Sequence, residues 1–401
     1  MQPAARLAAV IDVLAALEKT PEPADKVLRE FFRARRYAGS KDRAAVAERL
    51  YTVLRHHYSY AWRMKSAEPR RLVIASLLAE GADPAEFFTG TAYSPAALTD
   101  EESAAVASVP EAPPRHVQGE FPAWLEPELE KAFGADLLAE MAAMGERAAV
   151  DIRVNTLKTS HDALIDALAS EGFAATPTPH AATGLRLSGT ATSKLSASPL
   201  FTSGQFEFQD EAAQFAAALC GATPSSRVLD YAAGAGGKTL ALAAAMHNKG
   251  AIVAHDIDSG RLSMLEPRAT RAGATIIKIS TAAPTGVFDI VLLDSPCSGT
   301  GTWRRQPELR VRLTPDRLAG LTALQTELLS KAAAFVKPGG RLVYATCSVL
   351  RCENEDQIAA FCAAHPDFAP VPVSPPETFF RASPHRTGTD GFFTAILQRA
   401  P

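Results

Sequence analysis

Residues 227–245 read RVLDYAAGAGGKTLALAAA, which is a short apolar strand, a glycine-rich turn and an alanine-rich helix from Leu240 in succession. A buried parallel strand has a continuous apolar sequence, and a helix that crosses back over the sheet follows it. Three later apolar runs repeat this pattern, with helical segments between them: 251–256, 288–294 and 341–346. We therefore predict an α/β fold, a doubly wound Rossmann-like parallel sheet, in the second half of the chain.

The first half of the chain predicts two smaller modules. Apolar residues recur at helical spacing through residues 1–80, as at Leu7 and Leu14, which predicts a small all-α bundle. A connector rich in alanine, proline, serine and acidic residues follows. A strand-like segment at 151–157 and a helix from His161 predict a small α+β unit. The predicted domains are a helical bundle with its linker (1–110), the α+β unit (119–203) and the sheet domain (204–401).

The composition is that of an ordinary globular protein, since 47% of the 401 residues are hydrophobic and 21% are charged. No apolar run approaches the roughly 20 residues of a membrane-spanning helix, and the N-terminus shows neither a secretory nor a transit pattern. Five cysteines are an odd number for a disulfide framework, which favours free thiols in a reducing compartment. We therefore expect a cytoplasmic protein.

The formal net charge of −3 argues against binding of nucleic acid by bulk electrostatic attraction alone. Such binding would depend on local basic clusters, which occur at residues 26–43, 65–71 and 304–312. Solvated helix faces explain the second cluster as well as nucleic-acid binding does, and they explain the first cluster less well.

A polar or reactive side chain stands at the end of each predicted strand: Asp230, Asp256, Asp294 and Cys347. In open parallel sheets the ligand crevice lies outside the carboxyl ends of the strands. We therefore expect these four groups to converge on one site. Polar loops explain one or two acidic residues at strand ends, but they explain a cysteine there poorly.

The turn after the first strand is predicted to bind a ligand. Its glycines let the backbone approach a ligand closely, and the following helix offers free N–H groups. A phosphate-binding P-loop requires a glycine where Ala232 stands, and the dinucleotide pattern requires a third glycine at Thr239. The sequence lacks both glycines, so neither of these two patterns is complete. The third possible ligand is S-adenosylmethionine, because its amino-acid end fits over the loop and Asp256 can accept hydrogen bonds from both ribose hydroxyls. The predicted cofactor residues of the loop are Ala232, Ala233, Gly234, Ala235, Gly236, Gly237 and Lys238.

Residues 294–301, DSPCSGTG, place a carboxylate and a thiol at a strand end, held by a proline and followed by glycines. A thiolate is both a good nucleophile and a good leaving group. One reaction that requires such a group is methylation of carbon 5 of cytosine. This carbon becomes nucleophilic only after a nucleophile has added to carbon 6 of the ring. A free thiol has a pKa of about 8.5, so the site must lower that pKa or supply a base.

Seven short motifs stand out in the second half of the chain. They are Gly204-Gln205-Phe206, Gln209-Asp210-Glu211, Gly236-Gly237-Lys238-Thr239, Asp294-Ser295-Pro296-Cys297, Thr346-Cys347-Ser348, Glu353-Asn354-Glu355 and Asp390-Gly391-Phe392-Phe393. Together they resemble the RsmB/NOP2/SUN family of RNA (cytosine-5) methyltransferases, in particular bacterial ribosomal RNA small subunit methyltransferase B. The resemblance covers residues 204–399 and, more loosely, 153–158. It implies a class I methyltransferase domain, preceded by a small RNA-recognition-like extension and a NusB-like RNA-binding bundle.

The resemblance also implies a role for each candidate at the strand ends. Cys347 is the nucleophile that adds to carbon 6, and Cys297 assists release of the covalent adduct. Asp294 holds the cytosine at N3 and at its amino group, and it borders the cofactor site. The glycine loop and Asp256 hold S-adenosylmethionine. In DNA cytosine methyltransferases the Pro-Cys cysteine is the nucleophile instead, so the Thr-Cys-Ser motif decides for Cys347.

One position departs from the family pattern. Members of the family carry an acidic residue after the third strand that binds the adenine amino group. Here that strand, residues 275–279, runs into Ser280. We expect the Ser280 hydroxyl or a backbone carbonyl to substitute, with weaker cofactor binding.

Other candidates have structural interpretations beside the functional ones. Cys220 and Cys362 are expected in the core, since they lie on apolar helical faces. His255 either touches the cofactor pocket or points to the opposite face of the sheet. Trp303 and Arg304 either stack on RNA bases or pack inside the protein.

The resemblance implies an RNA substrate, foremost 16S ribosomal RNA, with no metal and no membrane, and we expect a monomer. The sequence does not specify the target cytosine, because recognition depends on surface shape and on a flipped base. Transfer RNA, another RNA or DNA are alternative substrates. A non-catalytic RNA-binding ribosome-assembly factor is an alternative from a different class, favoured by the missing acidic residue at Ser280.

Overall fold

The chain folds into two compact units. The computed structural model describes residues 1–109, 111–188 and 192–401. Pro110, in the predicted connector, and residues 189–191, in the predicted α+β unit, lie outside the described residues. The two units are Met1–Glu146 with Trp303–Leu313, and Arg147–Thr302 with Thr314–Pro401.

The first unit is helical, which confirms the prediction of an N-terminal all-α region. Its core consists of apolar side chains that recur every three or four residues, such as Val46, Leu50 and Val53, all fully buried. Its helices in chain order are α1 (Pro3–Leu17), α2 (Ala24–Arg33), α3 (Ser40–Arg55), α4 (His57–Met64), α5 (Pro69–Ala79), α6 (Asp100–Ala107), α7 (Arg115–Gln118), α8 (Glu126–Phe133) and α9 (Leu137–Gly145).

The second unit begins with a small α+β module, as predicted. Its elements are β1 (Val150–Val154), α10 (His161–Ser170), β2 (Ala175–Pro177), β3 (Gly184–Leu187), α11 (Thr192–Leu195), α12 (Pro199–Thr202) and β4 (Phe206–Phe208). The strands form one antiparallel sheet in the order β2-β3-β1-β4. Leu164 and Leu168 of α10 pack in one apolar cluster with Ile152, Leu185 and Phe206 of the sheet.

The remaining elements of the chain form or cover a larger sheet, except α17, which belongs to the first unit. They are α13 (Glu211–Ala218), β5 (Arg227–Asp230), α14 (Gly237–Ala245), β6 (Ala251–His255), α15 (Ser259–Leu262), α16 (Leu265–Ala272), β7 (Ile277–Ser280), β8 (Phe288–Asp294), α17 (Glu308–Arg312), α18 (Pro315–Ala333), β9 (Val336–Thr346), α19 (Glu355–Ala364), β10 (Phe368–Val371), β11 (Phe380–Ala382), α20 (Pro384–Thr387) and β12 (Phe392–Arg399). Among the described helices, none is both long and apolar enough to cross a membrane.

The larger sheet is the doubly wound parallel sheet predicted from the apolar runs. Strands β5 to β9 are parallel and lie in the order β9-β8-β5-β6-β7. Strands β12 and β10 extend it beyond β9 as antiparallel neighbours, and β11 pairs with β12. The strand order reverses at β5, which has β6 on one side and β8 on the other. Such a reversal opens a ligand crevice at the carboxyl ends of the strands.

The segment Trp303–Leu313, which includes α17, belongs to the first unit although it interrupts the sequence of the second. Trp303 is fully buried, and the guanidinium carbon of Arg310 lies 5.0 Å from its ring centre. Arg312 donates hydrogen bonds to the carbonyl oxygens of residues 17, 20, 21 and 22. Trp303 therefore packs inside the protein, which favours the structural interpretation of this residue.

Candidate active site

The parallel strands bring four of the predicted residues to one edge of the sheet. Asp230 ends β5 and Asp294 ends β8, while Asp256 follows β6 and Cys347 follows β9. Strand β8 pairs with both β5 and β9, and β5 pairs with β6, so these four strand ends are adjacent. The crevice at the reversal of strand order is therefore lined by carboxylates and a thiol.

Cys297 and Cys347 face each other in this crevice. Their sulfur atoms lie 3.4 Å apart, and both side chains are partly exposed. The Gly301 N–H donates to the Cys347 carbonyl at 2.9 Å, and the Gly391 N–H donates to the Gly301 carbonyl at 2.8 Å. A Cβ on Gly301 would lie 2.1 Å from the Gly391 carbonyl oxygen, so this close approach of the backbones requires glycine.

The surroundings of Cys297 disfavour its thiolate form. Its hydrogen bond to Cys347 raises the pKa of Cys297, and burial and the charges of Cys347 and Glu353 raise it further. A thiol that keeps its proton can donate a hydrogen bond to a neighbouring thiolate. Cys297 is therefore disposed to keep its proton and to donate it in the contact with Cys347.

Lys238 and Asp294 form an ion pair in the same crevice. The Lys238 Nζ donates to Asp294 Oδ2 at 2.6 Å, and it lies 4.8 Å from the centre of the Phe392 ring. Burial disfavours the ammonium form, but the charge and hydrogen bond of Asp294 outweigh it and raise the pKa of Lys238. The sequence predicted Lys238 only as part of the cofactor loop, so its contact with Asp294 was not foreseen.

The glycine loop joins β5 to α14, which begins at Gly237 rather than at the predicted Leu240. Gly234 and Gly236 have φ angles of 53° and 82°, which side-chain-bearing residues rarely adopt. A Cβ on Gly236 would lie 2.1 Å from a methyl carbon of Leu265. The loop therefore presents its backbone, and the N–H groups of the first turn of α14, to a ligand.

Asp256 fixes the shape of this loop. One carboxylate oxygen accepts a hydrogen bond from the Gly234 N–H at 2.8 Å, and the other accepts one from the Asp258 N–H at 2.8 Å. Only 6% of Asp256 is exposed. The carboxylate thus links two loops at the crevice, while its predicted contact with a ribose stays a prediction.

Ser280 ends β7 and stands where the family pattern has an acidic residue. Its carbonyl oxygen lies 3.0 Å from His255 Nδ1, and its hydroxyl pairs with the backbone of Ala282. The His255 ring therefore holds the end of β7, with the Tyr231 ring centre 5.4 Å away. A cavity of about 590 Å³ opens beside Ser280, and its lining includes Ser259, Leu262, Glu266, Ile279 and Thr281.

Asp230 is the most deeply buried of the strand-end carboxylates, with 1% exposure. One oxygen accepts a hydrogen bond from the Thr239 hydroxyl at 2.6 Å, and the other has no hydrogen-bond partner among the described residues. Burial raises the pKa of Asp230 to about 7, although the Thr239 hydrogen bond acts in the opposite direction. A deeply buried carboxyl that keeps its proton up to about neutral pH suits a structural role better than a charged ligand role.

Sequence reasoning missed the importance of Glu353. It quoted this residue only within a motif, whereas the structure buries its carboxylate against Ser298 and Ser348, the neighbours of the two cysteines. The sequence feature that could have indicated its role is the position of Glu353, an acidic residue six positions after the strand-end Cys347.

Comparisons with known proteins decide the family. A family model described as 16S rRNA methyltransferase RsmB/F matches residues 218–398. The chain is 36% identical over 302 residues to the probable ribosomal RNA small subunit methyltransferase B of Synechocystis sp., covering 71% of this chain and 68% of that protein. It is 31% identical over 396 residues to ribosomal RNA small subunit methyltransferase B of Xanthomonas campestris pv. campestris, covering 90% of each. The chain belongs to the RsmB/F family of rRNA methyltransferases.

A second model, described as an RsmF/B-like ferredoxin-like domain, matches residues 121–193 of this RsmB/F-family chain. The solved structure titled "Crystal Structure of PH0851" covers 100% of the chain and 99% of its own length, with a TM-score of 0.82 and 28% identity. All the strand-end residues and both cysteines of the crevice lie within the RsmB/F match. Among the residues that the structure describes, no cluster of three or more His, Cys, Asp or Glu side chains could hold a metal ion.

Proposed function

We propose that this chain transfers a methyl group from S-adenosylmethionine to carbon 5 of a cytosine in 16S ribosomal RNA, with Cys347 as the nucleophile. The family supplies the reaction class, rRNA methylation. The observation that carries the finer proposal is the pair of cysteine sulfurs 3.4 Å apart in the crevice. Methylation of a ring nitrogen or a hydroxyl needs no covalent activation, so two thiols in the site favour carbon 5.

The chemistry assigned to the cysteines is covalent and reversible. The Cys347 thiolate adds to carbon 6, and ring electrons shift toward carbon 5. When bound, S-adenosylmethionine supplies the electrophilic methyl group that carbon 5 takes. Loss of the carbon 5 proton to a base then expels Cys347 as a thiolate and restores the aromatic ring. Cys297, in contact with Cys347, is placed to assist this release.

Asp294 is proposed to hold the cytosine through N3 and the amino group. Its side chain is 36% exposed, so part of the carboxylate is accessible while Oδ2 is held by Lys238. Asp294 can accept a hydrogen bond from the amino group, and a proton shared between Asp294 and N3 stabilises the negative charge that addition at carbon 6 places on the ring. Lys238 orients this carboxylate through its hydrogen bond to Oδ2.

The glycine loop fits S-adenosylmethionine. Backbone N–H groups at the start of α14 favour the carboxylate of the amino-acid end. Asp256 lies at the next strand end for the ribose, and Ile257 beside it is 92% exposed, which offers an apolar face to a purine. The cavity beside Ser280 would take the edge of the adenine ring.

The proposed substrate follows from the relatives, which are named as ribosomal RNA small subunit methyltransferases. We propose that the chain acts as a monomer in the cytoplasm. Transfer RNA and other RNAs are alternatives, and so is a non-catalytic role in ribosome assembly.

The test is methyl transfer from isotope-labelled S-adenosylmethionine to 16S rRNA, transfer RNA and DNA, followed by mass spectrometry of the nucleosides. We expect labelled 5-methylcytosine from 16S rRNA, none from Cys347→Ala, and a covalent protein–RNA band from Cys297→Ala. Cys362→Ala, in α19, serves as the matched control. Full activity of Cys347→Ala would refute the nucleophile assignment, and absence of both methyl transfer and cofactor binding would favour an assembly factor.

A further inference from the structure

Glu353 is a buried carboxylate that joins the two cysteine-bearing loops. It ends a short 3-10 helix, and its exposure is 0%. One oxygen accepts hydrogen bonds from the Ser298 N–H at 2.8 Å and from Gln325 Nε2 at 2.9 Å. The other oxygen accepts hydrogen bonds from the hydroxyls of Ser298 and Ser348. A single carboxylate therefore has four donors from three segments of the chain.

The two serines are the immediate neighbours of the two cysteines. Ser298 follows Cys297, and Ser348 follows Cys347. Thr300 adds a direct link between the loops, because its hydroxyl lies 3.0 Å from that of Ser348. The carboxylate thus acts on each cysteine through the next peptide unit.

The position of Glu353 is fixed by the surrounding helix and strand. Gln325 on α18 donates both to the Glu353 carboxylate and to the Pro296 carbonyl, each at 2.9 Å. The Tyr344 hydroxyl on β9 donates to the backbone carbonyl of Glu353 at 2.6 Å. Because regular elements hold Glu353 from two sides, its place does not depend on the loops that it binds.

We propose that Glu353 is a positioning residue that holds Ser298 and Ser348 together, so that the Cys297 and Cys347 sulfurs stay in contact. Its catalytic consequence rests on the function proposed above, but its geometric consequence does not. Buried donors that lose their acceptor are costly, so the loops cannot separate without a substantial loss of free energy. The contact of the sulfurs is therefore a property built into the loops before RNA binds.

The charge of Glu353 supports the same role. The hydrogen bond to Cys347, burial, and the charges of Cys347 and Glu353 all raise the pKa of Cys297. Tyr344 also faces this group, and burial raises its pKa well above the usual value, so it stays neutral. On the other side of the pair, the charge of Cys347 contributes to the raised pKa of Lys238. Loss of the Glu353 charge should therefore let Cys297 ionise at lower pH.

The first test measures sulfur contact without methyl transfer. Diamide takes two hydrogens from a pair of thiols and leaves a disulfide, and peptide mass spectrometry quantifies the Cys297–Cys347 linked peptide. We expect Glu353→Ala to form this linkage about 10-fold more slowly than the wild-type chain, since the sulfurs lose their fixed separation. Glu327→Gln, the same loss of charge on the exposed face of α18, should leave the rate unchanged. An unchanged linkage rate in folded Glu353→Ala would overturn the proposal.

The second test uses Glu353→Gln, which keeps the shape of the side chain and one of its two acceptor oxygens, if Glu353→Ala fails to fold. In a Cys347→Ser background, the alkylation of Cys297 by iodoacetamide is followed against pH. The alkylation profile should move to lower pH in Glu353→Gln and stay in place in Glu327→Gln. A profile that does not move contradicts the proposal.

The third readout is steady-state kinetics of full-length protein. For Glu353→Ala we expect kcat to fall about 100-fold while KM for RNA changes less than about twofold. A rise in KM with kcat unchanged would contradict positioning. If the wild-type chain shows no methyl transfer, the proposed function fails, while the linkage and alkylation tests still decide the role of Glu353.

Discussion

Lys238 Nζ lies 2.6 Å from Asp294 Oδ2, although the two residues are 56 positions apart in the chain. Lys238 stands in the first turn of α14 and Asp294 at the end of β8, so the ion pair connects the glycine loop to the Pro-Cys loop. The raised pKa of Lys238 keeps its charge across the physiological range. In the proposed function, this fixed cation orients the carboxylate that receives the cytosine.

Lys238→Met should therefore reduce methyl transfer more than it reduces stability. We expect kcat/KM to fall about 100-fold, as for the loss of one electrostatic contact at a reacting group. Steady-state kinetics and thermal unfolding measure the two effects separately. Lys331→Met, which breaks an exposed ion pair with Glu327, is the control and should retain full activity. Wild-type kinetics in folded Lys238→Met would show that the ion pair is not needed.

Asp256→Ala should weaken cofactor binding. The carboxylate holds the N–H groups of Gly234 and Asp258, so its removal frees the glycine loop as well as any ribose contact. We expect the Kd for S-adenosylmethionine to rise at least about 10-fold, which isothermal titration calorimetry can measure. Asp162→Ala serves as the control, because that side chain is fully exposed. An unchanged Kd would place the cofactor elsewhere.

Local sequence predicted the parallel strands well, because a strand covered on both faces must be apolar throughout. β5 (Arg227–Asp230) and β8 (Phe288–Asp294) have the predicted bounds. β9 begins at Val336 rather than at Arg341. Residues 337–340 look like a turn in the sequence, but they belong to the strand and form the irregularity in its pairing with β8. The predicted start of α14 at Leu240 was too late. Gly236, directly before the helix, adopts a left-handed backbone conformation, which helix propensities do not predict.

The candidate site was predictable only as far as strand ends converge. In every parallel sheet the carboxyl ends of the strands lie at the same edge, and this rule predicted that Asp230, Asp294 and Cys347 lie close together. The hydrogen bonds among Glu353, Ser298 and Ser348 were not predictable, because no spacing rule in a single sequence encodes which distant loops meet. The pairing of Lys238 with Asp294 escaped prediction for the same reason.

Ser280→Asp should strengthen cofactor binding. The Ser280 carbonyl is already paired with His255 and its hydroxyl with Ala282, so neither is fully available to an adenine amino group. A carboxylate at this strand end would offer a charged acceptor, and we expect Kd to fall by about 10-fold. Calorimetry with Thr281→Asp controls for the added charge one residue further on. Equal effects of the two substitutions would exclude a specific contact at Ser280.

Asp230 should make the chain less stable as the pH rises. Its folded-state pKa of about 7 lies above its usual value, so the folded state keeps a proton that the unfolded state has lost. Between these two values the free energy of unfolding falls by about 1.4 kcal/mol per pH unit from this group alone. Asp230→Asn does not titrate, so its stability relative to the wild-type chain should increase from about pH 4 to about pH 7 and level off above that range.

Urea unfolding of both chains across this pH range measures the difference. The asparagine retains an acceptor for the Thr239 hydroxyl. It also buries an amide NH2 group where Asp230 has an oxygen without a partner among the described residues. Burial of this group lowers the free energy of unfolding by an amount that does not depend on pH. Only the slope against pH is therefore diagnostic. Asp289→Asn is the contrasting variant, because the hydrogen bond from Lys337 lowers the pKa of Asp289. The stability of Asp289→Asn relative to the wild-type chain should decrease as the pH rises from the acidic range. For Asp230→Asn, a difference in stability that does not change with pH would show that Asp230 is already ionised in the folded state.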